Sequence, residues 1–411
     1  MSNDSPNTPQ LPERPNLRHL KDQAKDLLRT GGAVSLTDAQ FQIARLYGFS
    51  SWPTLKAHVE SLLEIGQLKQ AIDSNDLDSV KAMMTRNPGL HRAALGYGKD
   101  GPLTWVAECR VPWEPPSPAR LAMARWMIEN GSDVHQGGDG PLMRAALQGY
   151  RIPMMELLVS LGADVNAWWH GTFPIAFAPC ETLDAEALEW LLGHGADPNC
   201  KHGPAAPDGS LRAHPGTALD YCIGTYLRSP EDLAACIDIL IKYGGVTKYA
   251  EPALLALLMR KLDLFSAQLD ANPDLKNRRF PDFNFGASAG RTLTLKGATL
   301  LHVAAEYGYV DAARLLLDLG ADVNARAAID EAGIGGQTPI FHAASQNRDA
   351  GLPAIELLVQ RGTDLSIRAK LPGHYERPDE VVECTPLGYA LLFPGVDGKT
   401  VAFLRAHNAP E

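Results

Sequence analysis

The sequence predicts an all-α solenoid of stacked helix pairs, capped at its N-terminus and carrying long loops between the pairs. Three observations carry that expectation. Residues 297–325, GATLLHVAAEYGYVDAARLLLDLGADVNA, hold two short amphipathic helices separated by a glycine. The Gly-x-Asp turn that closes this stretch recurs at Gly131, Gly162, Gly195, Gly320 and Gly362. Gly131 to Gly162 is 31 residues and Gly162 to Gly195 is 33, the period of a two-helix repeat. A pair of this size cannot bury its apolar face alone, so each needs a neighbour.

Taken in order, residues 1–16 are polar and proline-bearing and read as a disordered tail. Leu17, Leu20, Ala24, Leu27 and Leu28 then keep helical spacing up to Gly31 and Gly32. A second helix is predicted after Thr37, with Gln40 as its capping-box partner, ending near Gly48. A third starts at the N-cap Ser51, with Pro53 in its first turn and Leu55, Val59, Leu62 and Leu63 as its apolar face. Residues 17–65 are therefore expected to cover the first repeat as a three-helix cap. Acidic and basic residues alternate through them, without the basic face that a DNA-reading helix-turn-helix needs. Residues 66–411 form the array of about nine units. Degenerate units are expected at 68–90, 217–245 and 251–275, and a last one at 385–408. The best-formed unit is 297–325. There Thr299 caps the first helix, Gly308 stops it, and Val310, Ala313, Leu315, Leu316 and Leu317 make the apolar face of the second.

Composition limits the functions. A net charge of −10 argues against a general binder of nucleic acid or anionic membrane, since both need a basic surface. Cys109, Cys180, Cys200, Cys222, Cys236 and Cys384 lie far apart with no C-x-x-C pair, and read as reduced thiols in a cytoplasmic protein. The N-terminus lacks the apolar core of a signal peptide, and the densest apolar run, 253–259, is too short to span a bilayer.

Thr299, Leu300, Leu301, His302, Val303 and Ala304 resemble the T-P-L-H-x-A core of the ankyrin repeat. The resemblance runs from about residue 68 to the C-terminus. The stretch LRHLKDQAKDLLR…FQIARLYGFSSWPTLKAHVE is also similar to the front ends of some bacterial ankyrin-repeat proteins, which implies a bacterial source. In this family the histidine slot is structural, so His302 is expected to pack. The following slot, x, is expected to face the concave groove. Unit by unit it holds Trp105, Arg144, Phe177, Tyr221, Leu255, Val303, His342 and Tyr389. The next groove-facing turn adds Glu108, Leu147, Gln148, Glu306 and Tyr307. A solvated groove would hold Lys, Glu, Asn or Ser there. Aromatic and imidazole rings instead suggest stacking surface, with Arg144 and His342 to orient polar or anionic groups.

Six stretches depart from the family's short turns: residues 110–118, 168–171, 201–216, 278–295, 327–336 and 370–383. The first splits the two helices of one unit. The others fall after an outer helix and before an inner one, among the finger loops that border the groove. They carry Trp113, Trp168, Trp169, His170, His202, His214, Phe280, Phe283, Phe285, His374 and Tyr375, and such loops in a compact fold are usually functional. The fingers are expected to fold over the groove and form a pocket.

No Walker loop, H-E-x-x-H or dinucleotide fingerprint occurs. Cys200 and His202 make only half a metal site, and the glycines at 333, 335 and 336 lack the Gly-Lys-Ser/Thr ending of a phosphate loop. Cys180 and Cys222 sit on inner helices, where a thiol beside a histidine would be a nucleophile and a buried one inert. The acidic, histidine-bearing stretch from His374 to Glu380 offers a general acid or base at the groove's edge. The expectation is thus non-catalytic recognition, with no cofactor and no metal. An extended, partly aromatic small molecule or peptide lies in the groove on Trp105, Glu108, Arg144, Trp168, Trp169, His170, Phe177, Tyr221, Glu306, Tyr307, His342 and Tyr389. For a bacterial protein one use is sequestering a toxic natural product. The alternatives are a protein–protein adaptor and a hydrolase working between fingers and groove.

Overall fold

The helix that starts at Thr299 shows how the sequence makes one repeat. In the computed structural model, Thr299 sits in extended backbone and its hydroxyl lies 2.9 Å from His302 Nδ1, which also accepts the Thr299 N–H. The helix Leu300–Tyr307 ends at left-handed Gly308, and all eight of its residues are buried. The chain turns back into Val310–Asp318, which buries Ala312, Ala313, Leu316 and Leu317. The structure describes residues 9–12, 15–108, 115–147, 151–201, 216–227, 229–286, 293–374, 376–377, 380–393 and 398–411.

Contacts divide the chain into two units. The first comprises Met1–Pro112, Pro116–Pro141 and Ser160–Gly162, and the second Trp113–Pro115, Leu142–Val159 and Ala163–Glu411. In the first, Leu17–Arg29, Leu36–Leu46 and the start of Trp52–Asp73 enclose a small core of Leu20, Ala24, Ala39, Ile43, Ala44, Leu55 and Val59. Asn16 and Ser51 cap the first and third helices. The second helix begins earlier than predicted. Ser35, not Thr37, is its N-cap, because Ser35 Oγ accepts the Asp38 N–H while the Asp38 carboxylate accepts the Val34 N–H. The third helix does not stop near residue 65. It runs to Asp73, and its far end pairs with Leu77–Arg86. A second pair, Pro102–Glu108 and Pro118–Glu129, packs beside it.

The third pair lies in Gln136–Ala146 and Ile152–Ser160. In the second unit six further pairs follow: Phe177–Thr182 with Ala185–Gly193, Ala218–Gly224 with Pro230–Lys242, and Pro252–Leu258 with Leu262–Ala271. Next come Leu300–Tyr307 with Val310–Asp318, Pro339–Ala344 with Leu352–Gln360, and Pro386–Ala390 with Gly398–Ala406. Inner helices pack on inner ones, as Leu300–Tyr307 does on Pro339–Ala344, and outer on outer, as Val310–Asp318 does on Leu352–Gln360.

The fingers are the few non-helical pieces. Trp168–Trp169 pairs antiparallel with Phe173–Pro174, and Ala369–Pro372 with Val381–Cys384. Single bridges join Ile329 to Gly335 and Gly335 to Lys370, so neighbouring fingers are tied together. Two glycines allow this closeness. A Cβ on Gly297 would meet the Ala328 Cβ at 2.2 Å, and one on Gly335 would meet the Ala328 carbonyl oxygen at 2.1 Å, both at positive φ.

Polar links set the spacing along the turns. In each Asp-x-Asn turn the aspartate accepts the N–H two residues on: Asp164 from Asn166, Asp197 from Asn199, and Asp322 from Asn324. The asparagine then reaches the following turn. Asn166 donates to the Gly195 carbonyl and accepts the Asp197 N–H; Asn199 donates to the Gly244 carbonyl and accepts the Val246 N–H. Asn277 and Asn324 accept from the Asp322 and Asp364 N–H groups in the same way. Replacing Asn199 with alanine orphans a carbonyl and an N–H at once, a loss of about 1–2 kcal/mol. Denaturant unfolding of the variant is expected to show that loss, and unchanged stability would contradict the link.

Candidate recognition site

The x slot is filled from within. Phe177, His342 and Tyr389 are fully buried, and Trp105, Arg144, Glu306 and Tyr307 nearly so. Tyr221 and Glu108 are half-buried. The predicted groove residues are thus largely covered, for a physical reason: large rings gain by leaving water, and their polar ends find partners inside the fold. In the first unit, Trp105 Nε1 donates to Asp73 Oδ1 at 2.8 Å and the Lys69 ammonium sits 4.2 Å from its ring.

In the second unit the predicted residues fall into clusters. Trp169 meets His170 edge-on at 4.6 Å and lies 6.3 Å from Phe173, which is T-shaped to Phe177 and Tyr221. Phe177 and Tyr221 stack at 4.7 Å. This chain of rings braces the hairpin from below. In the pair farther from the turn Trp168 is 37% exposed, and at the turn His170 is exposed with left-handed backbone. Beneath Trp168 opens a cleft of about 400 Å³, walled by Val165, Ala167, Pro174 and Ile175 and edged by Asp197 and Lys201.

A second cluster joins two inner helices. His342 Nδ1 faces Glu306 Oε2 at 2.7 Å with both side chains fully buried, so the pair has no surface from which to meet a substrate. Tyr307 donates to the Ile223 carbonyl and Tyr309 to the Leu258 carbonyl, linking this repeat to the two before it. In a third cluster, Tyr389 donates to the Pro372 carbonyl and packs on Phe341 and Phe393. Phe280, Phe283 and Phe285 are buried with Tyr249, holding the finger before Thr299 in place. A cleft of about 630 Å³ lies between fingers, lined by Leu293, Lys296, Ile329, Asp330, Ile334 and Leu371 among others.

The candidate reactive groups are placed as follows. Cys180 and Cys222 are fully buried. A hydrogen bond with Cys222 pulls the Cys180 thiol down, but burial together with the neighbouring Cys236 and Cys200 outweighs it and the net shift is upward; Cys222 is raised by its contact with Cys180. Burial pushes Cys200 up to about 12, and among the described residues no group of His, Cys, Asp and Glu is suited to a metal. His374 accepts the Glu376 N–H and packs 6.2 Å from Phe393. Trp113, Gln148, His202, His214, Tyr375 and Asp379 lie outside the described residues.

Sequence reasoning missed Glu181, Phe173 and Tyr226. Glu181 accepts hydrogen bonds from Tyr221 at 3.0 Å and Tyr226 at 3.5 Å. Its position four residues after Phe177 puts it on the same helix face, a signal that was present in the spacing.

Residues 271–369, which include the Thr299 helix and the next pair, match the sequence profile of the ankyrin repeats, three copies. The chain carries ankyrin repeats. It is 25% identical over 266 residues to the putative ankyrin repeat protein FPV022 of fowlpox virus (strain NVSL), across 62% of this chain and 41% of that protein. The chain thus spans less than half of that relative's length. The crystal structure of the human ASB11 ankyrin repeat domain aligns with 76% of this chain and 99% of its own, at 20% identity and a TM-score of 0.33. Ankyrin repeats generally serve protein–protein interaction. No helix among the described residues is long and apolar enough to cross a membrane.

The ankyrin histidine slot behaves as expected. His302 is fully buried, accepts at Nδ1, and donates from Nε2 to the Gln337 carbonyl at 3.1 Å. Burial, with the nearby His342, holds its pKa at about 3, so it stays neutral in the fold. The unfolded chain binds a proton near pH 6.5 and the folded one only near pH 3. Stability is therefore undiminished above that upper value and falls by about 1.4 kcal/mol per pH unit below it. Urea unfolding at pH 6.5 and pH 5 is expected to cost wild type about 2 kcal/mol more than His302→Gln. Equal pH dependence in the two proteins would contradict this.

Proposed function

We propose that the chain is a non-catalytic recognition module that binds an extended polypeptide segment along its fingers. The observation that carries this reading is the Trp168 hairpin. It presents the exposed indole of Trp168 beside a cleft, next in sequence to Trp169, whose ring meets His170 and Phe173 edge-on. A large exposed aromatic ring beside a cleft is the kind of group that dominates interface hot spots. Ile329, 58% exposed, and Val381, 39% exposed, add apolar surface on other fingers. On this reading the buried slot residues Phe177, Tyr221, Glu306, His342 and Tyr389 position the fingers, and Trp168, Trp169 and His170 make the contacts. Selection of displayed decapeptides on the full chain tests it. Selected peptides are expected to lose at least about tenfold in affinity for Trp168→Ala while the melting temperature stays put. Unchanged affinity would overturn the reading.

A second reading rests on the finger cleft of about 630 Å³, which falls in the size range of small-molecule sites. A partly aromatic small molecule bound there would raise the melting temperature by ligand linkage and be recovered intact by mass spectrometry. Recovery of a cleaved compound would instead favour a hydrolase.

A further inference from the structure

The Glu181 carboxylate differs in its partners from the ion-paired acids of the second unit. Glu189 pairs with Lys242 at 2.6 Å, Glu251 with Arg278 at 3.3 Å, and Asp318 with Arg361 at 2.6 Å; Glu231 and Asp238 pair with Arg260 and Lys261. Glu181 is half-buried and has only the hydroxyls of Tyr221 and Tyr226, with no lysine or arginine partner among the described residues. Its place is fixed. The Thr225 hydroxyl donates to the Glu181 carbonyl at 2.8 Å, tying the segment that carries Tyr226 to the helix that carries the carboxylate. Tyr221 is held by its stack on Phe177, and Tyr226 is 51% exposed. Burial and the Glu181 charge both push the two phenols above their ordinary pKa, so both remain donors at neutral pH.

An anion shielded from water, fixed by neutral donors and bordered by aromatic rings, favours a cation twice over. The charge pair is stronger where water is partly excluded, and ring faces add cation–π attraction. We propose that Glu181, Tyr221 and Tyr226 form a subsite for a guanidinium or ammonium group, supplied by a basic side chain of the polypeptide partner. The subsite is continuous with the Trp168 hairpin through Tyr221, Phe173 and Trp169. On this proposal a segment lying against the hairpin extends to it. This deepens the recognition reading and, in naming a peptide as the source of the cation, rests on it.

The test titrates the full chain, labelled with carbon-13 in its tyrosine rings, with N-acetyl-arginine N-methylamide or with its neutral citrulline counterpart. Tyr226→Phe assigns the signal. The arginine probe is expected to shift the Tyr221 and Tyr226 resonances, the citrulline probe to leave them, and Glu181→Gln to need at least about fivefold more arginine probe. The carboxamide oxygen still accepts the Tyr221 hydrogen bond, the shorter of the two, so the variant keeps its fold. Equal effects of the two probes, a wild-type titration in Glu181→Gln, or no shift at any concentration would overturn the subsite. An eight-residue peptide with one arginine separates the sources of the cation. If the peptide binds no better than the small probe, the subsite stands and the polypeptide reading falls. If a selected peptide keeps its affinity when its arginine becomes citrulline, the polypeptide reading stands and the subsite falls.

Discussion

Every element of the array is subject to one constraint: a helix pair of this length has no core of its own. Leu300–Tyr307 buries all eight of its residues because its own outer helix, the next repeat's inner helix Pro339–Ala344 and the turn Pro273–Lys276 lie against it. The apolar contact supplies the driving force, since burying such side chains gains roughly 25 cal/mol per Å². It is not directional. Register comes from polar links between repeats, the asparagines along the turns and His302 reaching the Gln337 carbonyl of the next unit. The same division of labour explains why polar groups as large as Glu306 and His342 are tolerated with no exposed surface. His342 Nδ1 and Glu306 Oε2 meet at 2.7 Å across two adjacent inner helices.

The fingers extend this logic. A loop of ten or more residues is costly to order, and here the ordering is offset by rings that face inward. Phe280, Phe283 and Phe285 anchor one finger, Tyr389 and Phe393 another, and Phe173 with Tyr221 the Trp168 hairpin. Among the described residues Trp168 on one finger and Ile329 and Val381 on others stay exposed.

Much of the fold was legible because it repeats. Thr299, Gly308 and Gly320 mark the ends of both helices where capping chemistry puts them, and the first three Gly-x-Asp turns recur at the ankyrin period. Legibility failed where a choice depended on neighbours distant in sequence. Ser35 and Thr37 are both acceptable caps, and the Asp38 side chain decides between them. The x-slot rings were recognisable as a column, yet whether a column is open or covered depends on pairings such as Trp168 with Pro174 and Gly335 with Lys370. No local pattern encodes those pairings. The importance of Glu181 was hidden for the same reason, since its hydroxyl donors lie 40 and 45 residues away.

The central claim is that the aromatic column is filled by the protein itself and that recognition falls to the finger tips. Hydroxyl-radical footprinting of the unliganded chain, read by mass spectrometry at single residues, tests it most directly. Trp168 and Tyr226 should be modified fast, while Phe177, Tyr389 and His342 should be protected as well as the core residue Phe265. Modification of Phe177 and Tyr389 at the rate of Trp168 would mean that the column is an open groove and would contradict the account.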